Sequence, residues 1–382
     1  MKTSIKTILF GILFITFTSC MAKEKEQSLA YTETEITKPT LNNQTIKVAL
    51  LLDTSNSMDG LIDQAKAQLW QVVNQLSYAK CNDQKPNLEI ALYEYGNNGL
   101  VSTEGYIRKV LPFSNDLDEI SRQLFSLTTN GGEEYCGYVI NSSLEQLNWG
   151  DNKQDLKLIF IAGNEPFNQG SVSYENAAKL ACDKDVTVNT IFCGEYNLGI
   201  SSFWQRGAHL GHGDYTAINS DQVTLHVPSP YDDKIIILND QLNKTYISFG
   251  TEGKQKQSLQ AEQDSNAYGY SKANGVSRAV SKSSHLYKNS SWDLVDASED
   301  ENFDFENLDK ESLPEELKVK TEKEIKAYVE TKKSEREKIK NEIQELNIKR
   351  QEFLSKHNTD NQLENALLNA LKTQAKKKNY IW

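Results

Sequence analysis

The chain has 382 residues, 38% of them hydrophobic and 25% charged, with a formal net charge of −11. That length allows one sizeable core and a second module, although the apolar content is thin and the shortfall lies toward the C-terminal end. The acidic balance, with no basic patch interleaved with aromatics, argues against nucleic acid as a partner, and Lys376, Lys377 and Lys378 read as a solvated helix end.

Met1 to Lys6 form a positive leader, and residues 8–17 an apolar run too short to anchor in a bilayer as a spanning helix. The run ends in Phe17-Thr18-Ser19-Cys20, which resembles the bacterial lipobox, with Phe17 where leucine is preferred. On this reading residues 1–19 are a lipoprotein signal peptide, Cys20 is lipidated, and the protein is tethered to a bacterial membrane on the periplasmic side or the cell surface. Loss of the first nineteen residues removes Lys2 and Lys6 and leaves a net charge of −13. Residues 20–45 read as a flexible tether.

From residue 46 short apolar runs alternate with amphipathic segments. Residues 46–52 read as a buried strand and 61–76 as a helix. Residues 88–95 and 105–111 form strands across the Gly96-Asn97-Asn98-Gly99 turn. Helices follow at 117–127 and 139–147, a buried strand at 156–162, a helix at 174–181 and a third buried strand at 186–193. Residues 200–210 and 215–218 close the series. The fold class this implies is α/β, a Rossmann-like doubly wound and mostly parallel sheet, with a C-terminal α-helical extension.

The boundaries expected are 46–225 for the α/β domain, 226–313 for a partly irregular linker and packing segment, and 314–382 for a helical region. Residues 235–242 are expected to pack back on the first domain and 298–307 to be loose. Over 314–357 a long helix is expected; Ile325, Val329, Ile339, Ile343, Leu346 and Phe353 fall at heptad positions, so a dimeric coiled coil is the lesser reading. Lys332, Arg336 and Arg350 share that seam and would be costly in a dimer. Residues 361–375 read as one more helix.

The chemistry concentrates at Asp53-Thr54-Ser55-Asn56-Ser57, between the first strand and the first helix. Open parallel sheets place ligand sites at the carboxyl ends of their strands, and a carboxylate with two hydroxyls suits a hard divalent cation such as Mg²⁺ or Mn²⁺. Asp53-x-Ser55-x-Ser57 resembles the metal-ion-dependent adhesion site of the von Willebrand factor type A domain, and the resemblance runs over roughly residues 46–220. It implies a protein-binding module rather than an enzyme, with an ion presenting an open position to an envelope or extracellular protein.

Two places depart from the family pattern. Glu133 stands where a threonine is expected, and Gly163 where an aspartate is expected. The ligand set implied is therefore Asp53, Ser55, Ser57 and Glu133, supported by Thr129, Asn164 and Glu165. The other reading is a vestigial loop in which Asp53 caps the helix that follows.

Cys81, Cys136, Cys182 and Cys193 are an even number in an oxidising compartment, consistent with two disulfides or with buried thiols. In the type A fold the preferred pairs are Cys136–Cys193 and Cys81–Cys182. His209 and His212 lack helical metal spacing, and neither serine has an assignable base or a Gly-x-Ser-x-Gly elbow. Phe203, Trp204 and Trp292 read as core. The function implied is a cell-envelope binding lipoprotein; the alternative is a metal-independent scaffold whose C-terminal helices make the main contacts.

Overall fold

The computed structural model describes residues 44–222, 227–356 and 362–382. The signal peptide, Cys20 and nearly all of the tether lie outside the described residues. No described helix is long and apolar enough to cross a membrane.

The first half of the described chain contains β1 (Thr45–Asp53), α1 (Asp59–Leu76), β2 (Lys80–Cys81), β3 (Asn87–Tyr95), β4 (Ile107–Ser114), α2 (Leu117–Phe125), α3 (Cys136–Gln146), β5 (Leu156–Gly163), α4 (Tyr174–Asp183), β6 (Thr187–Cys193), α5 (Tyr196–Ser201), α6 (Trp204–Leu210) and β7 (His212–Ile218). Six strands form one sheet in the order β4-β3-β1-β5-β6-β7. Every neighbouring pair is parallel except β3 and β4. β5 is buried along its whole length, as a continuous apolar run in a sheet covered on both faces should be.

Alternate residues of the strands feed two cores. Val48, Leu52, Leu158 and Phe160 face α1 with Leu61, Trp70 and Val73. Ala49, Leu51, Ile159 and Ile161 face α3 and α4 with Val139, Ile140 and Ala177, and Trp204 closes that side. Helix starts are set by local chemistry: the Asp116 side chain accepts from the backbone N–H groups of Asp118 and Glu119, and Ser173 accepts from Asn176.

The second half contains α7 (Asp232–Asn243), α8 (Gly253–Tyr270), α9 (Lys272–Lys282), α10 (Leu294–Ala297), α11 (Glu315–Lys318), α12 (Glu322–Leu354), α13 (Gln362–Lys376) and β8 (Tyr380–Ile381). It does not stand apart from the sheet. α9 packs on α1, α8 on α2, and α13 on α1 and strands β5 to β7. β8 pairs with β2 through Cys81 and Tyr380. Helices α7 to α12 are therefore inserted between the last large strand and the helix that completes the cover of one sheet face.

Buried ion pairs hold this insertion. Arg278, 1% exposed, meets Asp118 at 2.8 Å and Asp264 at 2.5 Å. Its guanidinium lies 4.7 Å from the Trp70 ring centre. Lys282 reaches the same Asp264 at 2.8 Å. Arg336 bridges Asp293 and Asp296, both at 2.6 Å, and Arg350 meets Asp232 at 3.0 Å. The seam of α12 is thus spent on its own chain: Ile325, Val329 and Ile343 are buried and both arginines have carboxylate partners within the chain. The long helix expected here is α12, and its apolar seam packs within the chain. Residues 298–307, expected to be loose, put Phe303 and Phe305 against the small core of Ile247, Leu294, Leu317 and Val329.

Both ends of the described unit meet just before β5. Gln44 donates to the Gln154 side chain (2.9 Å), and the Tyr380 hydroxyl donates to the Gln154 carbonyl (3.3 Å). Lys378 donates to the carbonyls of Lys153 and Asp155, each at 2.9 Å. This is the amino end of the parallel strands, opposite the end that carries Asp53.

Candidate functional site

β1 delivers Asp53, fully buried, to the carboxyl end of the sheet. The Ser55 N–H donates to Asp53 Oδ1 at 2.7 Å, and Thr54 N–H to the Tyr95 carbonyl at 2.8 Å, which fixes the turn. One turn of 3₁₀ helix, Asn56–Met58, then opens α1. It brings the Ser55 and Ser57 hydroxyls to 3.3 Å from each other. Asn164, just after β5, donates to Ser57 Oγ at 3.0 Å. Two oxygens here lack any hydrogen-bond partner, Asp53 Oδ2 and Asn164 Oδ1.

The loop before α3 supplies the second acid. Glu134, 2% exposed, turns inward beside Asp53, and its Oε2 accepts the Glu165 N–H at 3.2 Å. Burial, then the hydrogen bond and charge of Glu134, hold the Asp53 carboxyl well above the ordinary carboxylate range. Asp53 Oδ2 thus lies beside a second carboxyl with no hydrogen-bond donor among the described residues to meet it.

Glu133, the acid expected at the ion, is exposed and receives the Tyr135 hydroxyl instead. Glu134 takes the inward side because its N–H donates to Gln169 Oε1 at 3.3 Å and its Oε2 accepts the Glu165 N–H, both more than thirty residues along the chain. Thr129 donates its hydroxyl to Asp59 at the start of α1, so it braces the loop away from Asp53. The Glu165 carboxylate is exposed and accepts from Gln169 at 3.1 Å; only its backbone faces the site.

Gly163 sits where the family pattern has an aspartate. A Cβ there would lie 2.5 Å from the Tyr95 hydroxyl and 3.0 Å from Asp53 Oδ2. Tyr95 is fully buried and donates to the Ala162 carbonyl at 2.9 Å, so it fills the space that a side chain at 163 would need. Gly96, at φ +78°, is constrained likewise: a Cβ would meet Asp53 Oδ1 and Glu134 Cγ, both at 2.8 Å. Tyr95 and Glu134 carry no motif signal that sequence reasoning could have used.

The four cysteines are free thiols. Cys136 belongs to one core and Cys193 to the other, so the sheet lies between the two members of the expected pair. Cys81 is likewise on the face opposite α4, which carries Cys182. Burial pushes the Cys136 and Cys193 thiols well above their ordinary range, which keeps them neutral and unreactive. Trp204 and Trp292 are core residues as expected, whereas Phe203 is 36% exposed.

Residues 47–198 match the von Willebrand factor type A domain family. No curated protein matches the chain. Among solved structures, the conserved hypothetical protein BatB from Bacteroides thetaiotaomicron is 17% identical, with a TM-score of 0.35, covering 45% of this chain and 90% of that one. An aerotolerance-related membrane protein from Bacteroides fragilis is 19% identical, with a TM-score of 0.31, covering 46% and 93%. Proximal thread matrix protein 1 from the mussel byssus, with a zinc-occupied adhesion motif, is 13% identical at a TM-score of 0.35, covering 47% and 43%.

The donors gathered around Asp53 are of the kinds that a hard divalent cation takes. Asp53 and Glu134 bring two carboxyls, Ser55 and Ser57 two hydroxyls, and Asn164 a neutral carbonyl oxygen with no other partner. Among the described residues no three His, Cys, Asp or Glu side chains converge as a metal-holding group.

Proposed function

We propose that this protein binds another protein through the carboxyl rim of its sheet, with Mg²⁺ or Mn²⁺ held by Asp53, Ser55, Ser57 and Glu134. Type A domains are in general protein-binding modules, and the match over residues 47–198 supports that class. The observation that carries the reading is the buried Asp53 carboxylate, its Oδ2 without a partner, beside two hydroxyls. When bound, the ion supplies a coordination position to an oxygen of the partner. The chain's own residues orient the donors: the Ser55 N–H fixes Asp53, Asn164 fixes Ser57, and Glu165 N–H fixes Glu134. We further propose that Cys20 is lipidated and that the domain works in the bacterial cell envelope, on the lipobox-like sequence alone.

Titration calorimetry with Mg²⁺ and Mn²⁺, paired with thermal melts, tests the metal. An ion at 100 times its Kd should stabilise the wild-type chain by about 2.7 kcal/mol and leave Asp53→Ala unshifted. Equal melts with and without manganese would reject the site. The scaffold alternative finds less support, since the apolar seam of α12 is already covered by its own chain.

A further inference from the structure

Three Asn-Gly pairs stand in the sequence: Asn98-Gly99, Asn130-Gly131 and Asn274-Gly275. Glycine has no Cβ to shield its nitrogen and takes up backbone angles closed to other residues. Its nitrogen can therefore swing onto the amide carbon of the preceding asparagine. Two of the pairs carry a lock against that approach. Asn274 is 1% exposed in α9 and its Nδ2 donates to the Ala67 carbonyl at 2.7 Å. Gly275 N–H is taken by the Ser271 carbonyl at 3.0 Å. Asn98 is exposed, but Gly99 N–H donates to Asn97 Oδ1 at 2.8 Å.

Asn130-Gly131 has neither lock. The pair lies in the irregular loop before α3, the Asn130 side chain is exposed, and Gly131 N–H has no acceptor among the described residues. The main chain on either side is nevertheless tied at two points. Asn130 N–H donates to the Thr54 carbonyl at 2.9 Å, and the Gly131 carbonyl accepts the Asn98 N–H at 2.8 Å. The first tie reaches into the turn that follows Asp53.

We propose that Asn130 is a site of spontaneous covalent modification, converting to aspartate and isoaspartate. The Gly131 nitrogen, giving its proton to solvent, attacks Cγ of Asn130. The new C–N bond closes a cyclic imide, and the side-chain nitrogen leaves as ammonia. Water then opens the ring at either carbonyl. One opening gives aspartate; the other sends the main chain through the former side chain as isoaspartate. Both products add a negative charge to a loop that already holds Glu133 and Glu134. Isoaspartate does more, because it inserts one carbon between the two ties, and the bonds to Thr54 and Asn98 cannot both be kept. The turn at Asp53 is then loosened whether or not an ion occupies it.

The full chain held in warm, mildly alkaline buffer, with and without urea, tests this by peptide mapping with fragmentation that separates isoaspartate from aspartate. In urea the three asparagines should convert at comparable rates. Without urea Asn130 should lead, with Asn98 about fivefold slower because one hydrogen bond must break first, and Asn274 reacting only through unfolding of its helix. In Gly131→Ala the added Cβ meets Asn56 Nδ2 at 3.4 Å, an ordinary contact. That variant should stop conversion at Asn130 and leave the thermal melt unchanged. The isoaspartate form should exchange the amide hydrogen of residue 130 faster than Asn130→Asp, which carries the same charge on an unaltered main chain. Conversion of Asn98 or Asn274 ahead of Asn130 in the folded chain, or of Asn130 in urea alone, would overturn the proposal. Equal exchange at residue 130 in the isoaspartate form and in Asn130→Asp would overturn the loosening at Thr54.

Discussion

At the scale of single residues, the site is decided by who fills the space next to Asp53. The Asp53-Ser55-Ser57 spacing was legible because strand end, acid and hydroxyls are contiguous in sequence. Which of two successive glutamates turns inward was not, since loop direction depends on contacts to Gly96 and Gln169 that lie far along the chain. The glycine at 163 reads in sequence as a lost ligand; in the structure it is the complement of the Tyr95 hydroxyl. Gly163→Ala should therefore cost about 1–3 kcal/mol, and Tyr95→Phe, by removing the clashing oxygen, should recover part of it. Urea denaturation of the two single variants and the double variant measures the coupling; strict additivity would mean that Tyr95 does not set the limit.

At the scale of elements, the large strands and the helices of the first half follow their hydrophobic periodicity closely. The second half does so less, because polar groups do work usually given to aliphatic ones. α8 buries Gln260 and Gln263 rather than an apolar stripe, and Ser121 donates to Gln263 across the α2–α8 contact at 2.8 Å. Burial alone would raise the Asp264 carboxyl, but Lys282 and Arg278 outweigh it and hold Asp264 well below its ordinary 3.8. A depressed carboxyl contributes stability that is fully present above its unfolded value and is lost as pH falls through the folded one. The wild-type chain should thus lose stability progressively below about pH 4. Asp264→Asn should lose about 3–5 kcal/mol already at neutral pH, since it leaves buried Lys282 without a carboxylate and Arg278 with Asp118 alone. Its acid-induced loss should be correspondingly shallower in a pH series of thermal melts.

At the scale of the whole molecule, the last helix closes the first fold. Sequence periodicity indicated a helix over 361–375 but gave no sign of what it covers, because that depends on a return across more than a hundred residues. α13 places Leu363 and Leu371 against Val48, Leu52 and the inner side of α1. Leu371→Ala should accordingly cost about 2–5 kcal/mol in urea; a loss near zero would make α13 an appendage rather than part of the core.

Because Gln44 and Tyr380 share Gln154 at the amino end of the strands, the first and last described segments meet at one pole of the sheet while Asp53 and Glu134 lie at the other. One clasp around Gln154 thus ties down both ends of the described residues without touching the loop that carries Asp53.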